Sequence, residues 1–246
     1  MNQKVAIVTG STAGIGRAIA VALAKKDYIV IANSRHKDNR ADELLSELQR
    51  YSPDSRFVPA DVSDEKSAFR LCAAMKESVM KLDLLVNNAG VTEPTSIISP
   101  NPSKWREQFD ANFFSAVWMS SGLLDLLKNS QGSVLNISSV RGLFETGREG
   151  IMAYSAAKAA LNSFTKTFAK AVAPDVCVNA ILPGFTATTY LERATPEQVA
   201  SWRGISPIKR LIEPEEIADI AVSVGENRAM TGSLVVADGG FTLRLE

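Results

Sequence analysis

The sequence has few of the residues that define several classes of protein. It contains two cysteines and one histidine in 246 residues, and neither Cys72 nor Cys177 has a cysteine or histidine close to it in the chain. Zinc sites need clustered cysteine and histidine ligands, and disulfide scaffolds need paired cysteines. We therefore expect neither a metal site nor a disulfide, and we interpret both cysteines as small buried hydrophobic residues.

An excess of charge and long apolar runs are also lacking. Lys plus Arg and Asp plus Glu number 27 each, so the formal net charge is zero. A neutral chain without a dense basic run is not expected to bind nucleic acid as its main partner. No run approaches the ~18 apolar residues of a membrane span, and the amino terminus lacks the pattern of a signal peptide. These features predict a cytoplasmic protein without a membrane partner.

The chain does contain a regular alternation of short β-branched runs and longer amphipathic stretches, the longest of them at residues 104–128. Near-continuous apolar strands predict a sheet that is covered on both faces. With right-handed crossovers, the alternation predicts one doubly wound α/β domain over residues 1–246, with helices on both faces of a seven-stranded parallel sheet. The predicted strands are residues 5–9, 28–32, 56–60, 82–88, 132–138, 176–182 and 234–238.

Two less regular segments, residues 89–103 and 184–213, follow predicted strands. Ligands of open parallel sheets bind beyond the carboxyl ends of the strands, so these segments are candidate rims of a site. Residues 186–210 are interpreted as a short helical lid. Its apolar residues either line a pocket or only pack the lid onto the body, and its basic residues either receive an acidic carrier protein or are simply solvated. The apolar set is Tyr190, Leu191, Trp202 and Ile205, and the basic set is Arg193, Arg203, Lys209 and Arg210.

A glycine-rich turn, TGSTAGIG at residues 9–16, follows the first predicted strand and precedes a helix. Such a turn presents free N–H groups and the positive end of a helix dipole, which suit a pyrophosphate. The alternative is a tight connection without a ligand, but the position between the first strand and a helix favours a nucleotide. The candidate residues are Gly10, Ser11, Thr12, Gly14, Ile15 and Gly16.

The end of the second predicted strand bears on the choice of nucleotide. Asn33, Ser34 and Arg35 stand where a carboxylate would bind the ribose hydroxyl groups of NAD(H). Arg35 would instead pair with the 2′-phosphate of NADP(H), unless it is only an exposed loop arginine. We therefore expect NADP(H), with NAD(H) as the alternative.

Further motifs follow the glycine turn in a fixed order. They are Asp61-Val62, NNAG at 87–90, Asn112, NISS at 136–139, YSAAK at 154–158 and PGFTAT at 183–188. Together with the turn they resemble the short-chain dehydrogenase/reductase family, and within it the 3-oxoacyl-acyl-carrier-protein reductases most. The resemblance implies a Rossmann-type fold, and hydride transfer between a nicotinamide cofactor and a carbonyl or secondary alcohol.

The resemblance implies catalytic roles for Asn112, Ser139, Tyr154 and Lys158. Tyr154 would be the acid in reduction and the base in oxidation, and Lys158, one helical turn away, would favour its ionised form. Ser139 would donate a hydrogen bond to the substrate oxygen. It is preferred to Ser138, because neighbouring strand residues point to opposite faces. Asn112 would anchor a water near Lys158, or would merely be a polar residue in a locally strained helix.

The resemblance also implies a set of cofactor contacts. Asp61 and Val62 would lie at the adenine, the NNAG segment beside the adenosine ribose, and the PGFTAT segment at the nicotinamide and diphosphate. Tyr154 and Lys158 would contact the cofactor as well. The residues of the two segments are Asn87, Asn88, Ala89 and Gly90, and Pro183, Gly184, Thr186 and Thr188.

One departure from the family pattern concerns the segment before Tyr154. This tyrosine follows Ser139 by 15 residues, about two more than is usual in the family by the resemblance, and the excess falls at 142–152, beside the substrate. Members of this length are commonly homotetramers that pair through the helices at 103–128 and 153–173, so we expect a homo-oligomer. The aromatic residues that would serve this pairing, or the core instead, are Phe113, Phe114, Trp118, Phe164 and Phe168.

These sequence features leave three candidate functions. The first is an NADP(H)-dependent reductase of a 3-oxoacyl compound or another small ketone. The second is an NAD-dependent dehydrogenase of a sugar, polyol or hydroxysteroid-type alcohol, which Arg35 argues against. The third is a catalytically silent nucleotide-sensing protein on the same fold, which the complete set of four catalytic residues argues against.

Overall fold

Seven parallel strands form a single sheet within residues 3–189, 191 and 194–243, the part of the chain that this computed structural model describes. The strand order is β3-β2-β1-β4-β5-β6-β7, so the direction of winding reverses between β1 and β4. The strands are β1 Val5–Val8, β2 Ile29–Ser34, β3 Arg56–Pro59, β4 Leu84–Asn87, β5 Ser133–Ile137, β6 Cys177–Pro183 and β7 Leu234–Ala237. The predicted seven-stranded parallel sheet is confirmed.

The helices cover both faces of the sheet, and several begin at a side chain that caps the first turn. Asp38, Asp64 and Asn101 each accept hydrogen bonds from backbone N–H groups two or three residues further on, which stabilises a helix start by about 1 kcal/mol. The helices are α1 Gly14–Ala24, α2 Asn39–Tyr51, α3 Glu65–Ser78, α4 Pro102–Phe109, α5 Ser115–Gly122, α6 Leu124–Ser130, α7 Met152–Val172, α8 Pro196–Ile205 and α9 Pro214–Glu226.

Alternate residues of the central strands pack into two separate cores. Val8 lies in one core with Ile19 of α1 and Ile217 of α9. Ile7 lies in the other core with Met119 of α5. Each fully buried aliphatic side chain of this kind contributes roughly 1.5–3 kcal/mol. Because both faces are buried, the strands are apolar along their whole length.

The predicted helical stretch at 104–128 is divided into three helices. A π-helical turn, Asp110–Phe114, joins α4 to α5, and the backbone at Leu123 leaves the helical conformation before α6. Single π-helical turns inside α-helices often lie at functional sites. This turn carries Asn112, and it packs against α7.

In the described part of the chain, no helix is long and apolar enough to cross a membrane. Within the same residues, no group of three or more His, Cys, Asp or Glu side chains could hold a metal ion.

Candidate active site

A cleft of about 560 Å³ opens beyond the carboxyl ends of the central strands. Its walls come from the segments that follow β1, β4, β5 and β6, at the place where the winding direction reverses. Ligands of doubly wound sheets bind at this place. The predicted site residues that line the cleft are Gly10, Gly14, Ile15, Asn88, Ala89, Gly90, Asn112, Ser139, Tyr154, Lys158, Pro183, Gly184, Thr186 and Thr188.

The glycine turn forms one end of the cleft and is held against the loop after β4. Gly10 has a φ of +62°, and a Cβ there would lie 2.9 Å from the Ala89 Cα atom. Both the backbone conformation and the close approach to Ala89 therefore require glycine. Asn88 Nδ2 donates to the carbonyls of Thr9 and Gly10, at 2.9 Å each. No side chain caps the N-terminus of α1 at Ala13. Ala13, Gly14 and Ile15 line the cleft, so the uncapped start of α1 suits an anionic group.

A second set of predicted cofactor residues lies outside the lining of the cleft. Asn33 is buried and donates from Nδ2 to the carbonyls of Val58 and Ala60, which ties β2 to β3. The Ser11 hydroxyl bonds to the backbone of Asn33. These two side chains support the turn from beneath. The predicted residues of this set are Ser11, Thr12, Gly16, Asn33, Ser34, Arg35, Asp61 and Val62. Asn87 is likewise engaged inside the protein, with Ser120 and Asn136.

Arg35 and Asp61, which were assigned to different parts of the cofactor, form an ion pair with each other. Arg35 Nε lies 3.2 Å from Asp61 Oδ2, and the arginine side chain is 55 % exposed. Arg40, in the first turn of α2, lines the cleft together with Ala13 and Gly14. Arg40 was not predicted from the sequence, because only the packing of α2 beside the glycine turn brings it to the cleft.

Lys158 is a buried titratable group with a strongly shifted pKa. Its side chain is buried, and its Nζ atom donates to the Ile137 carbonyl at 2.8 Å. Burial lowers the pKa of Lys158 to about 8, because the charged form is poorly solvated. The Nζ atom lies 5.7 Å from the centre of the Tyr154 ring. At neutral pH, a predominantly protonated ammonium group therefore stands beside the tyrosine.

Asn112 lies next to this lysine, at the π-helical turn. Its Nδ2 donates to the carbonyls of Val91 and Gln108, at 2.8 and 2.9 Å. Its Oδ1 is buried and accepts no hydrogen bond from the described residues. A Cβ at Gly90 would lie 2.6 Å from this oxygen and 3.6 Å from Lys158 Nζ. The π-helical turn and Gly90 together bring a free amide oxygen close to Lys158.

The two serines after β5 are engaged differently. The Ser138 hydroxyl donates to Asn162 Oδ1 at 2.6 Å and is directed toward α7. The Ser139 hydroxyl oxygen accepts from the Arg141 backbone N–H at 3.1 Å, and Ser139 is 7 % exposed. The proton of Ser139 is therefore available to a substrate oxygen, whereas that of Ser138 is already used.

The segment between Ser139 and Tyr154 forms the outer wall of the cleft. It is tied down where Thr95 bridges to Ile151, with the Thr95 N–H donating to the Gly150 carbonyl at 3.0 Å. Arg141 and Arg148 of this segment line the cleft and were not singled out from the sequence. The sequence feature that could have indicated them is the presence of two basic residues in a segment that, by the resemblance, is longer than usual.

The segment predicted to be a lid contains α8. Trp202 of α8 lines the cleft and stacks on Phe185 at 5.4 Å between ring centres. Ile205 is 48 % exposed and is not among the residues that line the cleft. Of the basic set, Arg210 pairs with Glu216 at 2.6 and 2.8 Å, and Lys209 donates to the Gly204 carbonyl at 2.8 Å. Tyr190 and Arg193 lie outside the described residues.

Known proteins resemble this chain over most of its length. The profile of the short chain dehydrogenase family matches residues 4–199. A 3-oxoacyl-[acyl-carrier-protein] reductase of Synechocystis sp. is 33 % identical, over 99 % of this chain and 98 % of its own length. An acetoacetyl-CoA reductase of Shinella zoogloeoides is 36 % identical, over 97 % and 98 %.

Two solved structures of similar proteins share the fold of this chain. The RhlG/NADP active-site complex of Pseudomonas aeruginosa superposes with a TM-score of 0.90 at 32 % identity, over 98 % of this chain and 96 % of that chain. A putative gluconate dehydrogenase from Agrobacterium tumefaciens superposes with a TM-score of 0.91 at 27 % identity, over 98 % and 97 %. This chain therefore belongs to the short chain dehydrogenase family of NAD(P)-dependent oxidoreductases.

Proposed function

We propose that this protein reduces a small ketone or a 3-oxoacyl-type carbonyl with NADPH, through Asn112, Ser139, Tyr154 and Lys158. The observation that carries the proposal is the buried, cationic Lys158 beside Tyr154 on the wall of the cleft. Relatives described as 3-oxoacyl and acetoacetyl-CoA reductases support the direction of the reaction and the class of substrate.

A bound nicotinamide cofactor supplies the hydride. The residues of this chain hydrogen-bond and protonate the oxygen of the carbonyl. The Ser139 hydroxyl donates a hydrogen bond that strengthens as negative charge develops on that oxygen. Tyr154 then donates its proton, and the nearby Lys158 ammonium stabilises the phenolate that is left. The Asn112 amide oxygen accepts a hydrogen bond from a water, which returns a proton through Lys158.

The cleft suits a dinucleotide at its glycine end. The uncapped start of α1, the positive φ of Gly10 and Gly14, and the Thr188 side chain close to Gly14 form a cradle for a diphosphate. Arg35 and Arg40 are the cations on the side of α2 and β2. The NADP complex of the Pseudomonas relative supports NADP(H) as the preferred cofactor.

A carbonyl panel with both cofactors tests the proposed reaction. The panel contains acetoacetyl-CoA, small diketones, oxo acids and their esters, and the wild type is compared with Tyr154→Phe. We expect Tyr154→Phe to bind NADPH normally in a fluorescence titration and to lose at least about 10²-fold in turnover, because the proton donor is gone. Tyr51→Phe, a change on the exposed end of α2, is the matched control. Unchanged carbonyl reduction in Tyr154→Phe would show that the catalytic assignment is wrong.

Cofactor preference is tested by direct binding. We expect Arg35→Gln to weaken NADPH binding by about 10- to 100-fold and to leave NADH binding nearly unchanged, because only NADPH carries a 2′-phosphate. Arg40→Gln is the parallel variant for the second cation at the cleft. A wild type that binds NADH more tightly than NADPH would contradict the preference.

The second candidate is an NAD-dependent dehydrogenase of a sugar or polyol. The Arg35–Asp61 ion pair favours it, because this arginine is already partnered and a carboxylate stands beside it. The same binding experiment separates the two candidates, and oxidation of polyols with NAD⁺ would identify the second.

We also propose a cytoplasmic homo-oligomer that assembles through the helices α4, α5 and α7. Five partly buried aromatic rings, with neighbouring centres 5.0–6.1 Å apart, form a continuous row along α5, the π-helical turn and α7. A contiguous row of apolar side chains that keep part of their surface accessible is typical of an interface. Light scattering after gel filtration is expected to give the mass of a dimer or tetramer. The rings are Phe113, Phe114, Trp118, Phe164 and Phe168.

A further inference from the structure

Two arginines line the cleft on the segment between β5 and α7. Arg141 lies two residues after Ser139, in a short 3-10 turn, and Arg148 lies in the longer part of the segment. Among the described residues, no carboxylate forms an ion pair with either guanidinium group. Charged groups that lack an ion-pair partner in a concave site are candidates for binding an oppositely charged ligand.

The guanidinium group of Arg141 is held in one place by the walls of the cleft. Its central carbon lies 5.3 Å from the centre of the Phe185 ring and 4.8 Å from that of Phe241. One of its terminal nitrogens donates to the Thr146 carbonyl at 3.0 Å. A guanidinium group has five N–H donors in a rigid plane, so most of them remain for a ligand. Little conformational freedom is lost when such a fixed group binds an anion.

The electrostatic surroundings of Arg141 also favour an anion. Burial lowers the pKa of Arg141, and the positive charge of Arg148 lowers it further. The nearby Tyr154 acts in the opposite direction. An arginine stays protonated at neutral pH, so burial and the charge of Arg148 are unfavourable to this guanidinium group, and a bound anion would offset them. Glu93 is the one carboxylate among the described residues that line the cleft.

We propose that Arg141, assisted by Arg148, binds the carboxylate of an oxo-acid substrate and so places its carbonyl at Ser139 and Tyr154. The guanidinium group of Arg141 suits the carboxylate of such a substrate, because planar guanidinium and carboxylate groups pair through two hydrogen bonds. The inference rests on the proposed function and narrows its substrate class. A thioester or ester in place of the free acid removes the negative charge, so free oxo acids are the preferred substrates.

Matched acids and esters test this specificity. The probes are 2-oxobutanoate, acetoacetate and 4-oxopentanoate, each compared with its methyl ester, in calorimetric titrations of the full chain alone and with NADP⁺ or NAD⁺. We expect at least one acid to bind about 10- to 100-fold more tightly than its ester. Arg141→Gln should abolish this difference, Arg148→Gln should reduce it, and Arg141→Lys should restore part of it. Arg70→Gln, on the exposed side of α3, should retain it.

Each outcome is decisive. Equal binding of acid and ester, an undiminished difference in Arg141→Gln, or no binding of any acid would overturn the inference. If neutral ketones are then still reduced in a Tyr154-dependent reaction, the proposed function stands without it. If an acid binds through Arg141 but no carbonyl is reduced with either cofactor, the anion site stands and the proposed function fails.

Discussion

Replacement of Lys158 by methionine separates what this residue contributes to activity from what it does to stability. Methionine has a similar length and no charge, so it fills the same buried space between α7 and β5. The ammonium group beside Tyr154 is lost, and with it the electrostatic support for a phenolate. The Nζ atom lies 5.7 Å from the centre of the Tyr154 ring, and one charge about 6 Å away at an effective dielectric of ~20 supplies about 3 kcal/mol. We therefore expect kcat to fall by roughly 10²-fold.

The effect of the substitution on stability is expected to be small. Burial lowers the pKa of Lys158 from 10.5 to about 8. Because one pKa unit corresponds to about 1.36 kcal/mol, the folded state carries a penalty of about 3 kcal/mol at pH 7. The variant also leaves the Ile137 carbonyl without its side-chain donor, which costs about 1–3 kcal/mol. The two effects nearly offset each other, so Lys158→Met should be as stable as the wild type or slightly more stable.

The pH dependence isolates the lysine. Its folded pKa lies below its unfolded pKa, so the unfolded chain binds more protons between pH 8 and 10.5, and the wild type is stabilised as the pH rises through this interval. The variant lacks this group. The stability of the wild type relative to the variant should therefore rise by about 2 kcal/mol between pH 7 and 9.5.

The assay is urea unfolding of both proteins at pH 7, 8 and 9.5, together with the carbonyl reduction rate at pH 7. Lys166→Met, the same substitution on the exposed face of α7, is the control for loss of a lysine from this helix. A relative stability that does not change with pH would refute the low pKa of Lys158. A variant that is destabilised by more than about 3 kcal/mol at pH 7 would refute the balance of the two opposing terms.

Two further predictions concern neighbours of this lysine. Ser139→Ala should lower kcat by about 10²-fold or more with little loss of stability. Ser138→Ala should instead cost about 1 kcal/mol of stability and leave most of the activity. Kinetics and urea unfolding measure both effects, and a reversed result would exchange the roles of the two serines. Gly90→Ala should destabilise the protein by about 1–3 kcal/mol and reduce its activity, because the added Cβ would press on Asn112 Oδ1. Gly150→Ala is the control, since a Cβ at this position meets no atom within 4 Å. It should change neither thermal unfolding nor the reaction rate.

The sheet could be predicted from the sequence because its signal is local and repeated. Each strand is a short apolar run, and the alternation with helices leaves few alternatives to a parallel sheet. The division of residues 104–130 was not predictable in the same way. The π-helical turn at 110–114 inserts only a small change into an otherwise continuous amphipathic pattern, and the packing of Asn112 between Gly90 and α7 accompanies it.

The candidate catalytic residues were found because their types and order are characteristic, but their surroundings were not. Ser138 and Ser139 are chemically identical neighbours, and only the position of Asn162 on α7 shows which hydroxyl is already used. The Arg35–Asp61 ion pair joins two loops that are distant in the chain. Arg40 reaches the cleft only because α2 packs beside the glycine turn.

The sequence by itself determined the class of fold, the place of the glycine turn, and the identity of the four candidate catalytic groups. These depend on local periodicity and on residues whose order along the chain is characteristic. The tertiary structure alone decided which groups are charged, buried or already engaged, as in Lys158, Ser139 and Arg141. The physical reason is that desolvation, Coulomb interactions and hydrogen-bond partners are set by residues distant in the chain, and only folding brings those residues within a few ångströms of one another.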